Sequence, residues 1–198
     1  MKRLLKQADL SEPHACLADI DYDPVRKLDR AQIARLSYLD FVRQGQDILI
    51  TGATGTGKSF IASALGHEAC CAGMTVRTFR VSRLLTNLAI GRGDGSYNKL
   101  MDELKKPQLL ILDDFGLEPL DPTGSRDLYE VIYERHGLRS TIMTSQLPVA
   151  MWYTMFVDKT IADAVMDRIV NGSIRIDAKG PSRRGSLFQD SCSDREPP

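Results

Sequence analysis

The chain reads Gly-Ala-Thr-Gly-Thr-Gly-Lys-Ser from Gly52 to Ser59. This stretch matches the pattern GxxxxGK[ST] at every fixed position. An apolar run at residues 48–51 precedes it, and residues 59–72 follow with apolar side chains at helical spacing. An isolated match would suit an ordinary glycine turn, but a match between a strand and a helix predicts a phosphate-binding loop.

Each residue type in this loop has a role in holding a nucleoside triphosphate. Glycines allow backbone N–H groups to curl around the phosphates, and the following helix directs the positive end of its dipole at them. Lys58 supplies a positive charge, and the Ser59 hydroxyl is a ligand for Mg²⁺. We therefore predict ATP and Mg²⁺ as cofactors, with the nucleotide in contact with Gly52, Thr54, Gly55, Thr56, Gly57, Lys58, Ser59 and Phe60.

A second apolar strand, at residues 108–113, ends in two carboxylates, Asp113 and Asp114. Ligands of parallel α/β sheets bind at the carboxyl ends of the strands, which is where these acids fall. Asp113 is predicted to bind Mg²⁺ directly or through water, and to contact the nucleotide site. Asp114 is predicted to orient and polarise the attacking water. A strand that simply stops at a solvated turn is the alternative, and the upstream glycine loop disfavours it.

A third strand, at residues 140–145, also ends in polar side chains. Such a residue beside the γ-phosphate can hold the nucleophilic water. Gln146 is our first candidate, followed by Ser145 and Thr144. A plain turn before Pro148 remains an open alternative.

Strand and helix patterns alternate along the 198-residue chain, which is long enough for one domain with a hydrophobic core. This alternation predicts a parallel α/β sheet covered by helices. Further strands are predicted at residues 75–80 and 172–177, and further helices at 31–42, 82–90, 97–104, 123–136, 149–156 and 160–170.

Composition excludes some classes of protein. The 26 basic and 26 acidic residues cancel, so total charge offers no support for nucleic-acid binding. No apolar run reaches the roughly 18 residues of a membrane span, and the start does not resemble a signal peptide. We expect a cytoplasmic protein with reduced thiols and no membrane partner. His67 with Cys70 and Cys71 lacks the second pair of ligands that a zinc site needs.

Four basic residues are weaker candidates. Arg168 lies at the edge of the apolar stripe of helix 160–170 and could complete the site of a neighbouring subunit. Arg83, Arg92 and Lys99 lie between the second and third strands and could contact DNA phosphates. Spacing alone favours a solvated or ion-paired surface role for all four.

The combined motifs resemble those of the IstB-type AAA+ ATPases, helpers of insertion-sequence transposition and close kin of the DnaC helicase loaders. The resemblance covers residues 47 to 184. The segments that carry it are the glycine loop with Ser63-Ala64-Leu65-Gly66-His67-Glu68-Ala69, Leu110-Ile111-Leu112-Asp113-Asp114-Phe115-Gly116, Thr144-Ser145-Gln146-Leu147-Pro148, Met166-Asp167-Arg168-Ile169 and Gly180-Pro181-Ser182-Arg183-Arg184.

The resemblance implies a three-layer α/β/α P-loop fold of the AAA+ type, with a central parallel five-stranded sheet and the P-loop strand in its middle. It implies an ATPase, stimulated by DNA, that assembles as an ATP-dependent homo-oligomer. Its partners would be DNA and a transposase, or a replicative helicase. Asp113 and Asp114 become the Walker B pair, Gln146 sensor one and Arg168 an arginine finger, while residues 82–104 become a DNA-contacting insertion.

Three departures from the family pattern bear on function. Gln146 stands where the family usually has Asn, which keeps open a nucleotide-gated binding module with little hydrolysis. Arg183 replaces the family's aromatic residue. The chain starts where the family's N-terminal helical region should already have ended; if that region is absent, transposase or DNA binding that depends on it would be lost.

The predicted organisation has three parts. Residues 1–46 form a partly helical connecting segment, residues 47–184 the AAA+ ATPase domain, and residues 185–198 a polar tail without order. A metabolic P-loop kinase is a competing class of enzyme, but the sequence contains neither an acceptor site nor an arginine-rich lid that we can identify.

Overall fold

One parallel sheet of five strands forms the centre of the protein in a computed structural model, which describes residues 1–182. The sheet order is β2-β3-β4-β1-β5, so the predicted parallel α/β sheet is confirmed. The P-loop strand β1 lies second from one edge, and β4 takes the middle, so its expected central place is wrong. The strands are β1 (Ile48–Thr51), β2 (Val76–Arg80), β3 (Leu109–Phe115), β4 (Ser140–Ser145) and β5 (Ile174–Asp177).

Helices cover both faces of the sheet, which confirms the three-layer α/β/α architecture. None of those within residues 1–182 is long and apolar enough to cross a lipid bilayer. The helices are α1 (Lys2–Ala8), α2 (Arg30–Leu36), α3 (Asp40–Arg43), α4 (Lys58–Cys71), α5 (Val81–Asp94), α6 (Tyr97–Lys105), α7 (Pro122–Arg135), α8 (Val149–Trp152) and α9 (Lys159–Val170), with 3₁₀ turns at Leu17–Asp19, Pro24–Arg26 and Tyr153–Met155.

Alternating side chains of the strands supply two separate cores. Successive residues of a strand point to opposite faces. Ile48 and Ile50 therefore pack under α4, whereas Leu49 between them packs against the helices of the other face. That second core is formed with α5, α6, α7 and α9. The continuous apolar strands expected from the sequence are buried on both sides for this reason.

The N-terminal segment contributes to the core under α4. Ala8 and Leu10 are buried there, at 0% and 7% exposure. Helix α1 was not among the helices predicted from the sequence. The single helix predicted over residues 31–42 is wrong, because Leu39 adopts a left-handed conformation (φ 60°) that separates α2 from α3. The predicted domain boundary at residue 46 stays a prediction, and the tail at 185–198 lies outside the described residues.

Helix α5 runs further than its glycines suggest. The sequence pattern predicts its end at residue 90, before Gly91, Gly93 and Gly95. Instead it continues to Asp94 and ends at Gly95, whose φ of +82° is the left-handed cap. A Cβ on Gly91 would lie 3.0 Å from the backbone nitrogen of Tyr97. Gly91 thus allows α5 and α6 to pack closely and does not terminate the helix. The helix predicted at 149–156 is likewise shorter, since α8 gives way to a 3₁₀ turn.

A buried polar network ties the elements together at the amino edge of the sheet. The Arg135 guanidinium, 1% exposed, donates to the carbonyls of Leu104 and Pro107 and to the Thr141 hydroxyl. Asp47 accepts a 2.7 Å hydrogen bond from the Thr141 N–H. Burial raises the pKa of Asp47 to about 7 and lowers the pKa of Arg135 to about 10.

Candidate nucleotide-binding site

The loop between β1 and α4 has a backbone that requires glycine. Gly52, Gly55 and Gly57 all have positive φ, at 150°, 80° and 92°. A Cβ on Gly52 would lie 2.0 Å from the carbonyl oxygen of Ala178, so a side chain there would displace the segment after β5. Gly57 is also the N-cap of α4, which directs the helix N-terminus into the loop, as a phosphate requires.

Lys58 and Thr56 stabilise the loop from inside. The Lys58 ammonium donates to the Ala53 carbonyl at 2.9 Å, and the Thr56 hydroxyl donates to the same oxygen at 2.8 Å. From outside, the Arg26 guanidinium donates to the Thr56 carbonyl and pairs with Asp21 at 2.7 Å. The N-terminal segment therefore supports the phosphate-binding loop directly.

Asp113 is the centre of a cluster of hydroxyl groups. Its Oδ1 accepts from Ser59 at 2.9 Å and from Thr144 at 2.5 Å, while its Oδ2 accepts from Ser11 at 3.0 Å. The loop serine and the strand-end carboxylate, predicted separately as metal ligands, thus lie in direct contact. Carboxylate and hydroxyl oxygens are the ligands that Mg²⁺ prefers, so these residues fit that ion.

Asp114 has a backbone conformation that is rare for a residue other than glycine. Its φ is +59°, at a point where the pairing of β3 with β4 is irregular between Leu112 and Phe115. The Asp114 N–H donates to the Thr144 hydroxyl at 3.0 Å, which stabilises this conformation. The carboxylate is 21% exposed and pairs with Arg80 at 2.8 Å. Non-glycine residues with positive φ cluster at functional sites, where surrounding contacts hold them.

The three candidates at the end of β4 occupy different positions. Gln146 accepts a 2.7 Å hydrogen bond from the Thr54 hydroxyl, which places its side chain at the loop. The Ser145 hydroxyl is buried and donates to the Phe115 carbonyl. Thr144 is also buried and bridges the two aspartates through its hydroxyl. Sequence reasoning placed Thr144 behind Gln146, and the structure places it in contact with the predicted metal ligand.

A cavity of about 430 Å³ collects most of the predicted site residues. Three further residues line it that the sequence did not indicate: Glu12, Asp19 and Arg80. Arg80 ends β2 beside β3, so the rule that found Asp113, polar residues at the carboxyl ends of strands, would have found it too. Nothing local marks Glu12 or Asp19. The predicted residues that line the cavity are Thr54, Gly55, Gly57, Lys58, Ser59, Phe60, Asp114 and Gln146.

Arg168 lies away from this cavity. Helix α9 leads into β5 at Ile174, which pairs with Ile48 at the amino end of β1, whereas the loop follows the carboxyl end. The Arg168 guanidinium carbon lies 5.2 Å from the ring centre of Tyr133 and 5.7 Å from that of Tyr129. The same guanidinium donates to the Ala164 carbonyl at 2.8 Å, so Arg168 takes no part in the cavity of its own chain.

The predicted DNA contacts differ in their surroundings. Arg83 is exposed on α5, and Lys99 is exposed on α6. Arg92 instead forms an ion pair with Asp127, which is buried, and stacks on Tyr97 with its guanidinium carbon 4.3 Å from the ring centre. The Tyr97 hydroxyl donates to the same carboxylate at 2.8 Å. Arg92 thus fixes the α5–α6 hairpin to α7.

The fold and the site define a P-loop nucleotide-binding protein of the AAA+ type. A family model described as "IstB-like ATP binding protein" matches residues 1–189, and the chain belongs to this family of ATP-binding proteins. The resemblance inferred from the motifs is therefore confirmed.

Comparison with individual proteins agrees with this family assignment. The chain is 48% identical over 166 residues to a putative insertion sequence ATP-binding protein of Sinorhizobium fredii, covering 84% of this chain and 68% of that protein. It is 48% identical over 148 residues to the putative ATP-binding protein of insertion sequence IS1162 from Pseudomonas fluorescens, covering 75% and 64%. The chain thus spans about two thirds of the length of these relatives. A crystal structure of the DnaC helicase loader shares the fold, with a TM-score of 0.66, 19% identity and coverage of 90% of this chain and 100% of that one.

Proposed function

We propose that this protein is an ATP-hydrolysing helper that acts on DNA in insertion-sequence transposition and delivers target DNA to a transposase. The contact of Ser59 with Asp113, beside the Lys58 loop and Asp114, is the observation that carries the ATPase part. The transposition part is supported by the relatives, which are insertion sequence ATP-binding proteins.

In the proposed reaction the loop N–H groups and Lys58 hold the β- and γ-phosphates. Ser59 and Asp113 would hold Mg²⁺, which neutralises charge on these phosphates when bound. Asp114 orients a water molecule and accepts its proton as the oxygen attacks the γ-phosphorus. The bond to the β-phosphate then breaks and ADP leaves. Gln146, beside Thr54 on the loop, contacts the attacking water or the γ-phosphate.

Arg168 is proposed to act in an ATP-dependent homo-oligomer. Its position at the amino edge of the sheet suits contact with a second copy. In that copy's site the guanidinium would stabilise charge on the γ-phosphate. Tyr129 and Tyr133 hold the side chain on the surface of α7 and α9. The ATPase domain proposed for this assembly is residues 47–184, with residues 1–46 as the connecting segment.

The test is ATP turnover with and without duplex DNA. We expect Asp114→Asn and Arg168→Ala each to reduce turnover by roughly 100-fold or more while ATP still binds, since both act on the transition state. Arg43→Ala, at an exposed position of helix α3, is the matched control and should retain full turnover. Full turnover in Arg168→Ala would refute the proposed role of Arg168 as an arginine finger. If DNA did not raise the turnover of the unaltered chain, the proposed stimulation by DNA would be refuted.

Loading of a replicative helicase is the second candidate function. The shared fold with the DnaC loader favours it, although fold alone does not define function. The candidates separate in a binding assay with ATP, DNA and either a transposase or a replicative helicase as the partner. If the protein captured only the helicase, helicase loading would replace the proposed role in transposition.

A nucleotide-gated binding module with little hydrolysis is the third reading. Gln146 supports it, because its longer side chain bonds to Thr54 at the loop. Gln146→Asn would then raise turnover several-fold without a change in ATP affinity. Tight ATP binding with no turnover in either form would favour this reading over the ATPase.

A further inference from the structure

The short segment after α1 crosses the surface beside the predicted metal site. Helix α1 ends at Ala8, and Asp9 turns the chain with φ 50° and ψ 50°. Leu10 then inserts into the core, at 7% exposure. A Cβ on Gly66 of α4 would lie 2.9 Å from the Leu10 side chain, so Leu10 packs directly against α4 at this glycine. This anchor determines where the next residue, Ser11, lies.

Two hydrogen bonds tie the segment to the nucleotide site. The Ser11 hydroxyl donates to Oδ2 of Asp113 at 3.0 Å, across 102 positions of sequence. The Glu12 N–H donates to the Ser63 hydroxyl of α4 at 3.1 Å. Ser11 is exposed, so water competes for its hydroxyl, whereas Asp113 is only 6% exposed. The bond to Ser11 therefore reaches the carboxylate from its solvent side.

The Asp113 carboxylate is held from both sides as a result. Ser59 and Thr144 bond to Oδ1, and Ser11 bonds to Oδ2. The terminal torsion of an aspartate side chain is soft, so a carboxylate bound through one oxygen can pivot about that oxygen. A donor on the other oxygen restricts this rotation. Partners that orient a metal-binding side chain in this way contribute to metal affinity.

We propose that Ser11 is a positioning residue of the magnesium site, which acts by fixing the carboxylate of Asp113. This inference rests on the proposed binding of Mg²⁺ with ATP. It also connects the site to α1, because Leu10 and Glu12 hold Ser11 in place. Since coupling between two sites is reciprocal, bound Mg²⁺ with nucleotide should in turn order residues 9–12.

The experiment measures, on the full chain, how binding of a slowly hydrolysed ATP analogue depends on Mg²⁺ concentration. Partners of this kind change metal affinity by roughly 10- to 100-fold, and the exposure of Ser11 reduces the expectation for Ser11→Ala to roughly 3- to 10-fold. The Mg²⁺ concentration at half-saturation should rise by that factor. Affinity for the analogue in EDTA should not change, because the phosphate contacts of the loop remain.

Two variants separate positioning from a general effect on the fold. Ser11→Thr retains the hydroxyl and should restore the Mg²⁺ midpoint to within about twofold. Ser37→Ala removes another exposed serine hydroxyl, bonded to the Ala34 carbonyl at 2.7 Å, and should match the unaltered chain. An unchanged midpoint in Ser11→Ala, or failure of Ser11→Thr to restore it, would overturn the inference.

Hydrogen exchange provides a second readout. Amides of residues 9–12 should gain protection with Mg²⁺ and the analogue together, but not with the analogue in EDTA, and Ser11→Ala should lose this gain. Equal protection in both conditions would contradict the coupling. If the unaltered chain itself bound the analogue without any dependence on Mg²⁺, the proposed metal site would fail, a result distinct from a failure of Ser11 alone.

Discussion

Polar side chains at the two edges of the sheet have opposite surroundings. At the amino edge, the buried Arg135 and the half-buried Asp47 are bonded to backbone groups and do not line the cavity. At the carboxyl edge, Asp114 adopts a left-handed conformation and Lys58 extends back to a loop carbonyl. The first arrangement joins helices and strands permanently. The second leaves charged groups and N–H groups beside a cavity, where a ligand can bind them.

This contrast indicates which edge supplies stability and which supplies function. Backbone groups at the amino edge use a buried side chain as their partner, because water is excluded there. Groups at the carboxyl edge have partners that a phosphate and a metal ion can replace. Substitutions at the first edge should therefore change stability, and substitutions at the second should change binding or turnover.

Arg135→Met should have the largest effect. It removes the donor for several carbonyls and leaves Asp47 without its positive neighbour, so the free energy of unfolding should fall by about 3–5 kcal/mol. Denaturant unfolding measures this change. Arg139→Met, a half-buried neighbour with one 3.3 Å bond to the Lys105 carbonyl, is the control and should cost about 1 kcal/mol or less. Equal losses in the two variants would contradict the contrast.

Lys58→Ala should show the opposite profile. Loss of a buried charge that is proposed to contact the phosphates should weaken ATP binding by about 100-fold, as measured by calorimetry or a fluorescent nucleotide. The free energy of unfolding without nucleotide should change much less than in Arg135→Met. Lys106→Ala, which removes an exposed lysine paired with Asp102 on α6, should retain full affinity. Unchanged ATP affinity in Lys58→Ala would refute the assignment of this cavity as the nucleotide-binding site.

Arg80→Ala should have the smallest effect of the three substitutions. It tests whether a second residue at the carboxyl edge changes turnover and leaves ATP affinity unaltered. Arg80 pairs with the Asp114 carboxylate that is proposed to orient water, so its removal frees that oxygen. Turnover without DNA should rise by about two- to fivefold, a small factor because the Arg80 side chain is 60% exposed and surface ion pairs are weak. ATP affinity should not change. Arg80→Lys should behave as the unaltered chain, and a fall in turnover in Arg80→Ala would show that the ion pair assists the reaction.

Most of the fold was predictable because its signals are local. The strands and the helices around them are close to the predicted ranges, since apolar periodicity reports burial on one or two faces. The errors fall where a contact distant in sequence decides the backbone. The break at Leu39, the continuation of α5 past Gly91 and the position of β1 within the sheet depend on neighbours that periodicity does not identify.

The residues of the candidate site likewise fall into those that a local sequence pattern identified and those that it did not. The loop residues, Asp113 and Asp114 were recognised from spacing, because phosphate and metal binding demand particular residue types in sequence order. The roles given to these residues remain proposals, as do those of Gln146 and Arg168. Ser11 was not recognised, since an exposed serine has no local pattern and its partner lies 102 residues away.

The sequence was therefore sufficient for the phosphate-binding loop, the parallel sheet and the family, because each is encoded by a short pattern whose chemistry is local. Folding was needed to bring Ser11 and Arg80 to the two aspartates and to separate Arg168 from them. Those distances depend on how helices and strands pack, and packing is set by the summed burial of many side chains far apart in the chain.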